Sequence, residues 1–458
     1  MAEYTVTFES TLLSLLESKK YSAIKDILAT MNGADVAAIF DEIKTGQIPL
    51  MFRLLPKELA AETFVEMDPE DQELLIKGFS DAELHDVINE LYVDDAADLV
   101  EEMPANVVRR ILAQADPQMR KEINEILRFP ENSAGSIMTT EYVWLFPGMT
   151  VDEAIAQIRR TAVDKETIYT CYVIEKDRKL VGVITIKDLL LNGRDGGIIS
   201  DIMDRNVISV KTLSDQEEVA QMLSKYNFLA LPVVDEENRM VGIVTFDDAM
   251  DVIEDEATED IEKMAGMLPS DKEYLRSSPF ELFMHRIPWL LLLMVSATFT
   301  GMIITNFENA LAAQVVLTAF IPMLMDTGGN SGSQSSVTVI RAISLGELDF
   351  SDLPSVLLKE VGTAAFCGIA LAGACFLKLM LIDHLLLGNA GVTLSVAAVV
   401  CVTMVLTVIV AKIIGCTLPM VAKKLGFDPA VMASPFITTI VDAVSLLVYF
   451  GIASTLLF

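Results

Sequence analysis

The spacing of apolar positions divides the chain into stretches of different character. Residues 1–130 carry apolar residues at helical intervals without strand-like alternation, which predicts an all-α domain. Pro56 and Pro69 stand thirteen residues apart, as do Pro104 and Pro117, in two blocks 48 residues apart, "LPKELAAETFVEMDP" and "MPANVVRRILAQADP". A recurring helix pair of this kind predicts stacked helical hairpins, a short solenoid. Residues 136–253 instead mix β-rich runs with amphipathic helices. There "SIMTTEYVWLFPGMTVDEAIAQI" is echoed by "DIMDRNVISVKTLSDQEEVAQM", and "LVGVITIKDLL" by "MVGIVTFDDAM", which predicts an α/β unit in two copies, 136–195 and 200–253. Thr150 with Glu153, and Ser214 with Glu217, have capping-box spacing before one helix in each copy. Residues 254–278 are acidic and predict a connecting helix, about 25–30 Å long if it runs for 15–20 residues.

From residue 279 onward the character is apolar. Five stretches, about 286–305, 311–340, 356–382, 392–417 and 433–457, each reach the roughly 20 residues that cross a bilayer core of about 30 Å. They predict a polytopic membrane domain, residues 279–458, with five transmembrane helices. If the N-terminus is inside, "NFENA" and "IDHLLLGNAG" are external, and neither contains Lys or Arg. Arg276, Arg286, Arg341, Lys359, Lys412, Lys423 and Lys424 gather on the other side, with Lys378 the exception. That bias predicts a protein of the cell membrane with its N-terminus cytoplasmic and its C-terminus external.

Two of these stretches hold polar residues that a lipid-facing helix does not need. The second, "TAFIPMLMDTGGNSGSQSSVTVIRA", is interrupted by Pro322, Gly328, Gly329 and Gly332, with Asn330, Ser331, Ser333 and Gln334 among them. It predicts irregular backbone lining a watery cavity or buried in protein, or else a loop after a shorter helix. In the last, "SPFITTIVDAVSLLVYFGIASTLLF", Asp442 is a lone carboxylate. Burying it costs several kcal/mol unless it is protonated, hydrated or bound to a cation. Thr438 lies one turn earlier on the same face and Ser445 three residues later, which predicts a cation site. The alternative is a protonated Asp442 bonded to a neighbouring helix. Asp326 is the other acid in the body of a span, and Asp428 in "KKLGFDPA" sits at a cytoplasmic mouth.

Composition sharpens the division. The 458 residues include 65 acids and 34 bases, a net charge of −31, yet mean hydropathy is +0.44. Residues 277–458 hold ten acids and seven Lys/Arg, so 55 acids, 27 bases and a net −28 fall in residues 1–276. Nucleic acid is excluded as a partner, because binding it takes clustered Lys and Arg. The field attracts cations instead. Asp94, Asp95, Asp98, Glu101 and Glu102 crowd two helical turns, a pattern that by itself marks only a solvated face. No charged n-region with an apolar core opens the chain, which predicts that residues 1–276 stay in the cytoplasm. Four of five cysteines lie in apolar segments and the three histidines are far apart, so neither disulfides nor a histidine metal centre is expected. No nucleophile–base pair is visible, and an enzyme is not expected.

The repeated signature G-V/I-I/V-T-x-x-D, preceded in each copy by a helix and a β-rich run, resembles a tandem pair of CBS domains over about 118 residues. That resemblance implies adenine nucleotide binding between the copies, with ATP a candidate ligand. Ribose contacts would come from Thr185 with Asp188 and from Thr245 with Asp248. Helix capping by the same aspartates, or a role as dimer interface alone, remains open.

The order of helical acidic domain, CBS pair, acidic connecting helix and five spans resembles the MgtE family of magnesium channels along essentially the whole chain. The matching segments are Pro322 with "GGNSGSQSSVT", "VIRAISLGELDF", and "KKLGFDPAVMASPFITTIVDAVSLLVYFG". The resemblance implies a homodimer with a pore on its axis. Asp442 would hold hydrated Mg²⁺ there, with Thr438 and Asn330 beside it and Asp428 at the cytoplasmic mouth. It further implies that Mg²⁺ binds cytoplasmic acids and closes the pore. The matching positions are Asp95, Asp98, Asp247, Asp248, Asp251, Glu254, Glu256 and Glu259. The expected function is therefore Mg²⁺ uptake limited by cytosolic Mg²⁺. Alternatives are a membrane-anchored nucleotide or divalent-metal sensor without transport, and a broader carrier of Co²⁺, Mn²⁺ or Ni²⁺. A CBS-bearing anion channel would need Arg or Lys in its pore, whereas the bases in these spans lie near their ends.

Overall fold

A computed structural model of the chain describes residues 11–457 apart from 13, 17, 193–196, 271, 273 and 433. It divides into two units, Met1–Ile253 and Glu254–Phe458. The first begins with short helices stacked in pairs. Pro56 and Pro104 are the N-caps of Lys57–Val65 and Ala105–Gln114, and Pro69 and Pro117 stand in the first turns of Pro69–Gly78 and Pro117–Ile126. At those positions a missing N–H costs nothing, because the first turn has no intrahelical acceptor for it. Phe40, Phe64, Leu75 and Ile111 are fully buried along the stack. Helix α1, Val93–Glu102, buries Val93, Ala96, Ala97 and Val100, and the same face carries Asp94 inward. Helix α2, Pro117–Ile126, closes the stack.

Both halves of the duplication form a three-stranded sheet in sequential order. In the first copy β1 (Tyr142–Leu145) runs parallel to β2 (Thr167–Ile174), and β2 is antiparallel to β3 (Leu180–Thr185). In the second, β4 (Val210–Lys211), β5 (Ala230–Val234) and β6 (Met240–Thr245) repeat that arrangement. The registers coincide: Thr170 faces Thr185, and Ala230 faces Thr245. The signature glycines explain how the copies interlock. A Cβ on Gly242 would come within 2.7 Å of Met138 Sδ and of Thr139 O, and one on Gly182 within 2.5 Å of Met203 Sδ. The "IM" segment before each sheet therefore crosses the other copy's strand, with Thr139 paired to Ile243 and Asp204 to Val183. The Thr150–Glu153 capping box is formed. In the second copy the N-cap is Asp215 rather than Ser214. Its carboxylate accepts the Glu217 N–H at 2.9 Å, a shorter reach than the Ser/Glu box needs.

The connecting helix also differs from the expected 254–278. Helix α3 spans Phe246–Met264, growing directly out of β6. It stops because Gly266 takes a left-handed φ of +72° and Pro269 cannot continue it.

The second unit is built of long helices: α4 (Pro279–Asn306), α5 (Ile321–Ser344), α6 (Leu353–Leu377), α7 (Leu394–Lys424) and α8 (Ser434–Leu456). Among the described residues four stretches are long and apolar enough to cross a membrane: Pro279–Asn306, Phe350–Leu386, Leu394–Lys424 and Pro429–Leu456. Helix α5 has 24 residues, or about 36 Å, so it is long enough but too polar on one face to stand with the other four. It is also a continuous helix, not the irregular backbone expected from its sequence. Pro322 lies in its first turn. The glycines serve close packing instead: a Cβ on Gly328 would come within 2.8 Å of Thr407 Cγ2, on Gly329 within 2.8 Å of Thr438 Cγ2, and on Gly332 within 2.9 Å of Ile437 Cγ2. Gly415 lies against the Gly332 carbonyl. Small residues at these crossings let α5 approach α7 and α8 closely while its backbone bonds remain intrahelical.

Candidate functional site

The close packing of α5 on α8 creates the membrane site. Residues 328–332 of α5 lie against Thr438, Val441 and Ser445 of α8, with Asp442 on the same stretch. Asp442 Oδ1 is buried and has no hydrogen-bond partner among the described residues. The expected alternative, a carboxyl bonded to a neighbouring helix, thus finds no partner for that oxygen. Asp326 is its electrostatic neighbour, and the Asn330 amide donates to Asp326 Oδ1 at 3.0 Å. The buried hydroxyls of Thr403 and Thr407 on α7 also lack partners among the described residues. On the side of α5 away from the glycines, Asp326, Asn330, Gln334 and Thr338 recur every fourth residue and are exposed. A membrane helix does not present such a polar stripe to lipid.

One base lies inside a span after all. Lys412 of α7 is 5% exposed and reaches Ser335 Oγ at 3.1 Å and Glu360 Oε2 at 3.5 Å, while the Ser335 hydroxyl donates to Glu360. Helical spacing brings Glu360 of α6 opposite Lys412, and the charges neutralise one another. This corrects the expectation that bases lie only near the span ends, and it leaves no free cation there to attract anions.

At the mouth, Asp428 accepts the Ala430 N–H at 2.8 Å and the Lys263 ammonium at 2.6 Å. Lys263 also meets Glu259 at 2.6 Å. Ser344 of α5 donates to Asp260 at 3.0 Å, and Met264 packs on Ile340 and Ala430. The last turns of α3 are therefore held against the C-terminal end of α5 and the segment that leads into α8.

A second gathering of acids lies in the first unit. Burial first, then Asp248 and Glu141, pushes Asp95 up to about 7. Burial with Glu101 and Asp248 does the same to Asp98, also to about 7. Glu166, buried near Asp248 and Asp247, rises to about 8. Asp94 and Asp248 are raised by burial and by neighbouring acids as well. Glu141 accepts the Val93 N–H at 3.1 Å and so ties the start of α1 to the first sheet. Among the described residues Asp94, Asp95, Asp98, Glu166 and Asp248 make no ion pair with a base. Carboxylates packed together without a counter-charge are stabilised by protonation or by a cation among them.

The two CBS signatures are not equivalent. Thr185 is exposed, its hydroxyl donates to Asp188 Oδ2 at 2.5 Å, and the Asp188 N–H donates back at 3.2 Å. Thr245 is 4% exposed and bonds Asp248 likewise, but there the aspartate belongs to the acid cluster.

Residues 31–132 match the MgtE intracellular N domain, 134–194 and 199–255 match CBS domains, and 321–452 match MgtE, described as a divalent cation transporter. Over 451 residues the chain is 37% identical to the magnesium transporter MgtE of Thermus thermophilus, covering 98% of each chain. The chain belongs to the MgtE family. The magnesium transporter MgtE of Bacillus subtilis is 33% identical over 444 residues, 97% of this chain and 96% of its own. A crystal structure of the cytosolic domain of the Mg²⁺ channel MgtE in complex with ATP superposes with a TM-score of 0.51 at 38% identity, over 53% of this chain and 99% of that one.

Within this MgtE framework the expected residues fall into separate groups. Thr438 and Asp442 share a face of α8, with Asn330 on the helix packed beside it. Asp95, Asp98, Asp247, Asp248 and Asp251 come together in the first unit. Glu254, Glu256 and Glu259 lie further along α3, where Glu259 joins Lys263. Asp94, Glu141, Glu166 and Lys263 were missed. Asp94 did leave a signal, an acid on the apolar face of an amphipathic helix, but Glu141 and Glu166 left none, since only folding brings them to α1.

Proposed function

We propose that this chain is a Mg²⁺-selective channel that mediates magnesium uptake and is closed by cytosolic Mg²⁺. The observation that carries the reading is the exposed stripe Asp326–Asn330–Gln334–Thr338 beside an unpartnered Asp442 in an otherwise apolar bundle. Such a stripe needs water or a second copy against it. A homodimer pairs two stripes around one axis and encloses a wet path. Mg²⁺ gives up its waters reluctantly, so a few carboxylates and amide oxygens acting through those waters suit it better than a full protein cage. Two Asp442 carboxylates, with Thr438 and Asn330 nearby, supply that set. Asp428 stands at the cytoplasmic entrance. The N-terminus is cytoplasmic and the C-terminus external.

Closure follows from the acids. Asp95, Asp98, Asp247, Asp248 and Asp251 repel one another when ionised, and a divalent ion among them favours the gathered arrangement. Glu254, Glu256 and Glu259 extend the acidic surface of α3 toward the mouth. An ion that binds one state more tightly shifts the population toward it. The open Thr185–Asp188 pair is the site for ATP, in keeping with the ATP-bound relative. Mg²⁺ flux into liposomes from purified protein, with and without Mg²⁺ on the cytoplasmic side, tests the reading. Flux that falls steeply as cytoplasmic Mg²⁺ enters the millimolar range supports it. Absence of flux would favour a membrane-anchored sensor, and equal passage of Co²⁺, Mn²⁺ and Ni²⁺ a broader divalent carrier.

A further inference from the structure

The first unit contains a cavity of about 720 Å³ between α2 and the β1–β2–β3 sheet, the size of an ordinary small-molecule site. One wall is aromatic: Trp144 and Phe146 stand edge to face with ring centroids 5.1 Å apart, and Trp144 keeps 39% of its surface exposed. The rest is basic. Lys121, Arg128, Lys165, Lys176 and Arg178 line it against Glu122, Glu125 and Glu175. That is a local excess of positive charge inside a half of the chain whose net charge is −28. Lys121 is paired with Glu125 at 3.4 Å. Arg128, Lys165 and Lys176 make no ion pair among the described residues, and Arg178 donates to the neutral Tyr142 hydroxyl at 3.4 Å. Here these bases converge beside an accessible indole.

The cavity is not the Thr185–Asp188 site. It takes in Ile174 and the turn that follows, and Ile174 faces Leu180, whereas Thr185 faces Thr170 at the far end of the same hairpin. Five residues of strand separate the two, about 16 Å.

We propose that this cavity is a second ligand site, for a phosphorylated planar ring of the nucleotide class. The ring stacks on Trp144 beside Phe146, and the phosphates meet Arg128, Lys165, Lys176 and Arg178. The walls come from both the helical stack and the first CBS sheet, so the ligand stabilises their docked arrangement. That arrangement is also the one that brings Asp94 and Asp95 to Asp248. Ligand and divalent cation therefore raise each other's affinity, by the same factor in both directions.

The test is equilibrium dialysis of full-length protein in detergent with radiolabelled ATP in the presence of EDTA. Two sites per protomer are expected. Lys176→Ala combined with Arg178→Ala, both exposed side chains, weakens one class at least tenfold, and Asp188→Ala removes the other. Trp144→Leu weakens ATP but leaves pyrophosphate competition at the basic wall. Unchanged stoichiometry and affinity in the Lys176/Arg178 double variant overturns the proposal, as does loss of all ATP binding in Asp188→Ala. If the double variant binds no ATP while Asp188→Ala binds normally, the Thr185–Asp188 reading fails and this cavity stands.

Discussion

Asp95→Asn tests the acid cluster most directly. Burial and the neighbouring Asp248 and Glu141 hold the Asp95 carboxyl at about 7, against an ordinary 3.8. A displacement of about three units at about 1.4 kcal/mol each amounts to about 4 kcal/mol. The sign follows from proton linkage. A carboxyl whose folded pKa is raised binds its proton more tightly in the folded state, so its stabilisation is complete below the unfolded value and is lost as pH rises through 7. Between pH 5.5 and pH 8 Asp95 alone removes about 2 kcal/mol, or about 4–8 °C in Tm for a unit of about 250 residues. Glu166, at about 8, extends the decline to higher pH. The measurement is the Tm of full-length protein in EDTA across that pH range, repeated at pH 8 with Mg²⁺. Wild type loses stability with rising pH and regains it with Mg²⁺. Asp95→Asn shows a flatter profile, a higher metal-free Tm at pH 8 and a smaller Mg²⁺ response. A flat wild-type profile in EDTA, or an undiminished Mg²⁺ response in the variant, would refute the reasoning.

Asp442→Ala abolishes Mg²⁺ uptake in liposomes while the protein still elutes as a dimer; uptake at the wild-type rate sinks the pore assignment. Lys263→Gln leaves Glu259 and Asp428 facing each other without their ammonium, so flux without cytoplasmic Mg²⁺ rises severalfold, and an unchanged flux contradicts a holding role for that contact. Gly415→Val drives a side chain into the Gly332 carbonyl and costs at least the 1–3 kcal/mol typical of overpacking. It lowers the yield of monodisperse protein, whereas Gly362→Ala, with open space around its Cβ, does not; equal yields refute the close-crossing argument. Protease cleavage within residues 251–275 slows as Mg²⁺ rises into the millimolar range, and cleavage indifferent to Mg²⁺ argues against closure through these acids.

Periodicity made most of the architecture legible. The thirteen-residue proline spacing marked two helix pairs, since proline is favoured in the first turn of a helix, and the duplicated "VGVIT" and "VGIVT" segments gave matching strands in both copies. The polar interruption of the second apolar stretch was visible, but its meaning was not. Glycine and serine in that density break an isolated helix, yet here they let α5 sit against α7 and α8, and the helix continues. The end of α3 was misplaced for a similar reason, because acidic residues run on past the point where Gly266 turns the chain.

Local chemistry in the sequence determined the division into a −28 half and an apolar half, the presence of a duplicated segment, and the isolation of Asp442 in its span. These rest on hydropathy, charge and spacing, which need no long-range contact. The tertiary structure decided which charges meet. It joined Glu141 and Glu166 to the α1 acids, paired Lys412 with Glu360, set Lys263 on Asp428, and gathered Arg128, Lys165 and Lys176 near Trp144 without an ion pair among the described residues. Such pairings join residues tens to hundreds of positions apart. Their energies depend on burial and on distances of a few ångström, and only the folded chain fixes both.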